Sequence, residues 1–216
     1  MGVLIKVPQP QGAAVTWLDG AVPSSPAPVG LFQRALREHR SLFGRLQTLE
    51  GAVAQAAAVM VQALESGQKL MFCGNGGSAA DSQHLAAELT GRFVRERRAL
   101  AALALTIDTS ALTCIANDYD FDQVFERQVQ ALGRAGDCLV GISTSGKSAN
   151  LLCTFAAART LGIRTVGLLG RDGGPLAGLS DVPVIVPGQS TARIQEAHIF
   201  IGHSLCALVE EGLGLG

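Results

Sequence analysis

Aromatic residues are scarce, at 5% of the chain. Charge is scarce as well, at 16%, and it balances to a net −1. Proteins that bind nucleic acid show a basic patch, often interleaved with stacking aromatics. Neither ingredient is here, which excludes nucleic acid as an expected partner. No apolar run approaches the roughly 18 residues that a membrane helix needs, so no membrane is expected either. The start carries no apolar signal-peptide core. Lys6 breaks the myristoylation pattern that an opening Met-Gly invites. Cysteine is present but unpaired in pattern: Cys73, Cys114, Cys138, Cys153 and Cys206 form no CxxC motif. An odd, scattered set with three members in apolar runs reads as reduced thiols in a cytoplasmic protein.

Proline is nearly absent beyond the first 30 residues. Pro8, Pro10, Pro23, Pro26 and Pro28 account for five of the eight prolines. Residues 1–30 therefore read as a flexible extension, with Val22–Pro28 as an extended linker. Residues 31–216 read as one domain that opens on two helices. At 48% hydrophobic the chain has enough apolar surface for a sizeable core. The helices are expected over Leu31–Leu49 and Val53–Leu64. The second is apolar on most sides, which marks a buried helix. It is expected to pack between subunits, since two such helices before the first strand have little sheet to cover.

Strands and helices then alternate. Strands are expected over Lys69–Cys73, Ala101–Ile107, Asp137–Ile142, Ile163–Leu169 and Val182–Val186. The last contains Pro183, so it belongs at an edge. Helices are expected over Ser78–Arg92, Ala111–Ala116, Asp122–Leu132, Ser148–Leu161 and Thr191–Glu211. Near-continuous apolar strands alternating with helices predict a parallel sheet covered on both faces. Ligands of such sheets bind at the carboxyl ends of the strands. The loops 74–78, 108–110, 143–148 and 170–174 all fall there.

Two of these loops carry chemistry. Gly74-Asn75-Gly76-Gly77-Ser78 joins the first strand to its helix, with Ser78 as the expected N-cap. Glycines let a backbone approach a ligand closely, and a helix start attracts anions. His84 and Glu88 follow on one face of that helix. Gly141-Ile-Ser-Thr-Ser-Gly-Lys-Ser148 offers four hydroxyls at Ser143, Thr144, Ser145 and Ser148, which suit a phosphate monoester. The same eight residues satisfy the Walker A pattern, for which Asp108 would have to hold the metal. An ordinary strand-to-helix turn is a third reading. Gly74-x-Gly76-x-x-Ala79 also fits the loose dinucleotide fingerprint, but Asp108 follows at too long a gap. The C-terminal helix offers Gln195, Glu196, His198 and His203. Two histidines with a carboxylate make an acid/base or divalent-metal set. Spacing alone does not choose His198 over His203.

The stretches CGNGGSAADSQHLAAELTGRF, IANDYDF, GDCLVGISTSGKSAN, GRDGG and ARIQEAHIFIGHSLCALVE resemble the phosphoheptose isomerases, enzymes with the SIS fold. The resemblance runs from about Leu31 to Gly212. It implies a three-layer α/β sandwich with a five-stranded parallel sheet, flavodoxin-like, and a homotetramer. The implied reaction interconverts sedoheptulose 7-phosphate and D-glycero-D-manno-heptose 7-phosphate through an enediol(ate). That is a step towards ADP- or GDP-heptose for surface polysaccharide. Carried onto this sequence, Glu88 matches the catalytic base and His203 the acid. Asn75, Gly76, Gly77, Asn117, Asp118 and Gln195 match substrate contacts, as do Glu88 itself and the hydroxyls Ser143, Thr144, Ser145 and Ser148. Some members bind one zinc ion per subunit through positions matching His84, Glu88, Gln195 and His203. Arg92 matches an arginine near the site.

The chain departs from the family at Lys147, commonly Asn, and at Ala192, Asp in some members. Gln195 and His203 lie eight residues apart, about 12 Å along a helix. If both serve one site, a neighbouring chain supplies one of them, and the active site lies at a subunit interface. A different class is represented by non-catalytic SIS adaptors and sugar-phosphate sensors. The adaptors resemble this chain but lack the base and the acid.

Overall fold

Five apolar runs that stop at glycines or short polar turns become five strands. A computed structural model describes residues 30–215, so the proline-rich stretch before Gly30 lies outside the described residues. The strands are β1 (Leu70–Gly74), β2 (Ala102–Ala104), β3 (Cys138–Ser143), β4 (Arg164–Gly170) and β5 (Val182–Val186). All neighbours pair in parallel, in the order β2-β1-β3-β4-β5. The edge position of β5 is the one its proline requires. The chain runs outward from β1 to β2, then crosses back to β3. The crevice between β1 and β3 is thus the switch point at which ligands of such sheets bind.

Side chains alternate across a strand, and here both faces are buried. Leu70 and Phe72 point into one core and Met71 and Cys73 into the other. The first core is closed by α2 (Glu50–Glu65), α3 (Gly77–Thr90) and α8 (Thr191–Gly212). The second lies under α4 (Thr109–Asp118), α5 (Glu126–Leu132), α6 (Ala149–Thr160) and α7 (Gly174–Leu179). The remaining helix, α1 (Gly30–Phe43), rests on α8 and buries only Leu42. The result is the expected three-layer α/β sandwich.

Several expectations need correction. The alanine-rich α2 covers sheet within its own chain: Ala56, Ala57, Met60, Ala63 and Leu64 are buried in the first core. Its small side chains let it lie close beneath α8. The first helix is shorter than expected. It ends at Phe43, and a 3-10 turn over Leu46–Leu49 follows Gly44. β2 spans three residues rather than seven. Leu105 N–H still reaches Phe72 O at 2.8 Å, and the chain then turns. The stretch from Asp122 splits into a 3-10 turn, Phe121–Gln123, and α5. α7 is an element for which no expectation was stated, although Pro175 in its first turn is a usual helix-start signal. Ser78 is not a cap: Gly76 caps α3 and Ser78 is buried inside it.

All five cysteines are free. Burial pushes the Cys73 and Cys138 thiols up to about 12, which leaves them inert as nucleophiles. No helix among the described residues is long and apolar enough to cross a membrane.

Candidate active site

The turn after β1 builds one wall of the switch crevice. Gly76 has φ +58, a left-handed conformation that glycine adopts without steric cost. Its carbonyl accepts the N–H groups of Ala79 and Ala80 at 3.0 and 3.3 Å and starts α3. Gln195 of α8 lies directly over this turn. A Cβ added to Gly77 would come within 3.1 Å of the Gln195 side-chain carbonyl carbon. Asn75 reaches across the crevice. Its amide and that of Asn150 exchange two hydrogen bonds of 2.9 Å. The two sides of the switch point are therefore tied together by a half-buried amide pair.

The turn after β3 builds the other wall. Gly146 N–H donates to Ser143 Oγ at 3.1 Å, and Ser143 Oγ lies 3.2 Å from Ser148 Oγ. Lys147 N–H donates to Ser145 Oγ at 3.2 Å, and its side chain is exposed. Gly146 has φ +64 and packs against Gly173 and Gly174 of the loop after β4. Ser148 sits at the N-cap of α6 without capping it through its hydroxyl. The hydroxyls and the first turn of a twelve-residue helix thus border one concave loop, a favourable seat for a phosphate. The nucleotide reading loses its metal holder. Asp108 caps α4 by accepting Ala111 N–H at 2.9 Å.

The third component lies two turns along α3. His84 Nε2 is 3.2 Å from Glu88 Oε1 and 2.9 Å from His203 Nε2 of α8. One atom from each of these three side chains lies within 4.8 Å of the other two. Two imidazole nitrogens and a carboxylate oxygen suit a zinc ion and leave a coordination position open. The helices cross closely because Gly202 has no side chain, and a Cβ there would meet Leu85 at 2.6 Å. The Phe93 ring stacks on His203 with centroids 5.4 Å apart. Asp81, one turn before His84, faces the same imidazoles. Burial raises its carboxyl, and the two histidines oppose that shift.

The structure chooses between the two histidines of α8. His198 is 1% exposed, with Nε2 on Leu169 O at 3.0 Å, and lies in the core under β4. His203 meets Glu88's helix. Gln195 meets the start of α3 at Gly77, whereas His203 meets its eighth and twelfth residues, His84 and Glu88. His203 meets His84 within a single chain, and Gln195 lies over the Gly76–Gly77 turn. Asn117 and Asp118 pair with each other at 2.8 Å at the exposed end of α4. Among the described contacts they do not join either crevice wall. Arg92 is exposed and contacts Val94 O and Glu96. Sequence reasoning missed Asp81, Phe93 and Asn150. Asp81 was legible, being three residues before His84 on the same helix face. Phe93 and Asn150 depend on tertiary approach.

His198 makes a prediction about stability. Desolvation lowers its pKa to about 4, from 6.5 in the unfolded chain. Between those values the unfolded state binds the proton and the folded state does not. Stability therefore falls as pH drops from 6.5 to 4, by about 3 kcal/mol at most. Urea midpoints at pH 7 and pH 4.5 will show this loss in the wild type and a smaller one in His198→Gln.

Comparisons agree with the geometry. Residues 36–170 match the SIS domain model. A phosphoheptose isomerase of Nitratiruptor is 51% identical over 180 residues, covering 83% of this chain and 96% of the relative. The chain belongs to the phosphoheptose isomerases. Solved members of that family superpose well. The Neisseria gonorrhoeae phosphoheptose isomerase GmhA gives a TM-score of 0.79 at 48% identity, covering 83% of this chain and 97% of that one. The Francisella tularensis enzyme gives 0.77 at 37%, covering 84% and 95%. Family membership accounts for the five-stranded order and for the two helices that precede β1.

Proposed function

We propose that this protein is an aldose–ketose isomerase that interconverts sedoheptulose 7-phosphate and D-glycero-D-manno-heptose 7-phosphate. The observation that carries the reading is the Glu88/His84/His203 cluster, borne on the helix that starts from the glycine turn at the switch crevice. Its family relatives share the activity named for them at about half identity over most of the chain.

The reaction moves a proton between adjacent carbons. It needs a base over C1 of the ketose, a proton source at the C2 oxygen and an anchor for the distant phosphate. Glu88 takes a proton from C1 and, after exchange of its carboxyl with solvent, delivers a proton to C2. His203, whose Nε2 lies on the Glu88 face of the cluster, exchanges the proton at the carbonyl oxygen. Ser143, Thr144, Ser145 and Ser148 hold the phosphate, and the glycine turn at Asn75–Gly77 lies against the sugar chain. Asn117 and Asp118 contribute sugar contacts only if α4 of another copy or a closure brings them in. Fixing both ends of an open-chain sugar orients the reacting carbons. Each acid or base group contributes about 10²–10⁴-fold.

His84, Glu88 and His203 would hold a zinc ion, one per subunit, with Gln195 as a fourth contributor from a neighbouring chain. When bound, such an ion supplies Lewis-acid polarisation of the sugar oxygens. A homotetramer provides that neighbour. An apolar groove of about 660 Å³ between Phe43, Leu46, Val53, Phe200 and Leu208 supports self-association. Light scattering will give a mass near four times 22.4 kDa. A monomer with full activity contradicts the shared site. The product feeds heptose activation for surface polysaccharide, in the cytoplasm. Turnover of sedoheptulose 7-phosphate, with zinc measured on the same sample, tests the reading. Tight binding without turnover in zinc-replete protein points instead to a sensor or adaptor.

A further inference from the structure

The end of α3 is held in an unusual way. Helices often finish on a left-handed glycine that satisfies the last carbonyls. Gly91 follows α3, but its φ is −84 and its ψ −106. Leu100 N–H donates to Leu89 O at 3.1 Å, and one side chain reaches several of these carbonyls at once. Arg97 donates Nη2 to Glu88 O at 2.8 Å, and Nη1 to Leu89 O and Gly91 O at 2.9 Å each. Its Nε donates to Glu210 Oε1 of α8 at 2.8 Å. Glu210 Oε1 also accepts Phe93 N–H at 3.2 Å. The two side chains are only 2% and 5% exposed.

This pair sits behind the reactive cluster. The guanidinium binds the backbone carbonyl of Glu88 itself. Glu210 lies seven residues beyond His203, two turns and about 10 Å along the same helix. Cys206 lies between them, and its thiol is pushed up to about 12 by burial, with the Glu88 and Glu210 carboxylates adding to the shift. The connection that carries Arg97 also supplies Phe93, whose ring lies on His203.

We propose that Arg97 and Glu210 are positioning residues that set the separation of Glu88 and His203 by clamping the last turn of α3 to α8. The energetic logic favours a positional role. A buried ion pair gains little net stability over apolar packing, because two charges must be desolvated. Its planar fork instead fixes geometry, and lysine cannot reproduce several directed bonds at once. An error of about 1 Å between reacting groups can cost about 10²-fold in rate. The catalytic part of this inference rests on the isomerase reading, while the metal part does not.

The test compares Arg97→Lys and Glu210→Gln with Lys69→Met. Lys69 pairs with buried Asp137 just ahead of β1 and β3, on elements that carry none of the reactive cluster, so Lys69→Met is a control for lost stability. We expect Arg97→Lys to lower kcat by about 10²-fold with KM within about threefold. Its zinc affinity, titrated with the metal alone on apoprotein, falls by at least about tenfold. Lys69→Met loses comparable thermal stability and keeps both values within about twofold. If Arg97→Lys loses stability yet keeps wild-type kcat and zinc affinity, the pair is a structural staple only and the proposal is overturned. Should that variant fail to fold, Glu210→Gln, which keeps an acceptor for Phe93 N–H, carries the same comparison. Inactive wild type would defeat the isomerase reading and leave the zinc comparison to decide the clamp.

Discussion

Glu88→Gln lowers kcat for sedoheptulose 7-phosphate by about 10²–10⁴-fold, with KM nearly unchanged. The substitution keeps the shape and the hydrogen-bonding reach of the side chain and removes only its basicity. Glu88 is 24% exposed and lies on a helix whose packing is carried by Leu85 and Leu89, so the fold is retained. The hydroxyl loop after β3 makes no contact with Glu88 among the described hydrogen bonds, which is why binding survives. The amide is a weaker metal ligand than the carboxylate, so the assay is run on zinc-replete protein with metal measured in parallel. A variant that is fully loaded and still slow isolates the lost base. A fully loaded variant within about threefold of wild type would remove Glu88 from the proton transfer.

Gly146→Ala produces the second large effect, in binding and stability together. Gly146 has φ +64, where an L side chain is strained by roughly 1–3 kcal/mol. The new methyl would also run into Gly173 O and come within 3.0 Å of Gly174 N, both backbone atoms that cannot swing away. The loop after β3 must then separate from the loop after β4. Its hydroxyls lose their common focus. A stability loss of about 3 kcal/mol or more follows, seen as a Tm decrease of roughly 10 °C. KM for the sugar phosphate rises at least about tenfold. Gly178→Ala is the matching control, because nothing lies within 4 Å of its added Cβ and its φ is not positive. A Gly146→Ala protein with wild-type KM would show that this loop does not seat the phosphate.

The sheet was legible because its signals are local. Each strand is a short apolar run closed by glycine or polar residues, and Pro183 alone places β5 at an edge. The turns after β1 and β3 were legible for the same reason. What the sequence hid was distance. The alanine-rich α2 looks the same whether it covers its own sheet or a partner. His198 and His203 both lie on α8, and only the approach of α3 through Gly202 separates a core histidine from a reactive one. Asn150 and Arg97 act through partners 75 and 113 residues away, and no local pattern announces them. Spacing along α8 did carry one real constraint. Gln195 and His203 lie eight residues apart on α8, and they meet α3 at different turns, at Gly77 and at His84.

Isomerisation in D₂O, followed by NMR with wild-type protein and sedoheptulose 7-phosphate, tests the proton-transfer account most directly. Removal of the C1 proton by Glu88 lets that carboxyl exchange with solvent before it returns a proton to C2. The account predicts heptose 7-phosphate carrying deuterium at C2. Product formed with protium alone at C2 would contradict proton transfer through a Glu88 carboxyl that exchanges with solvent.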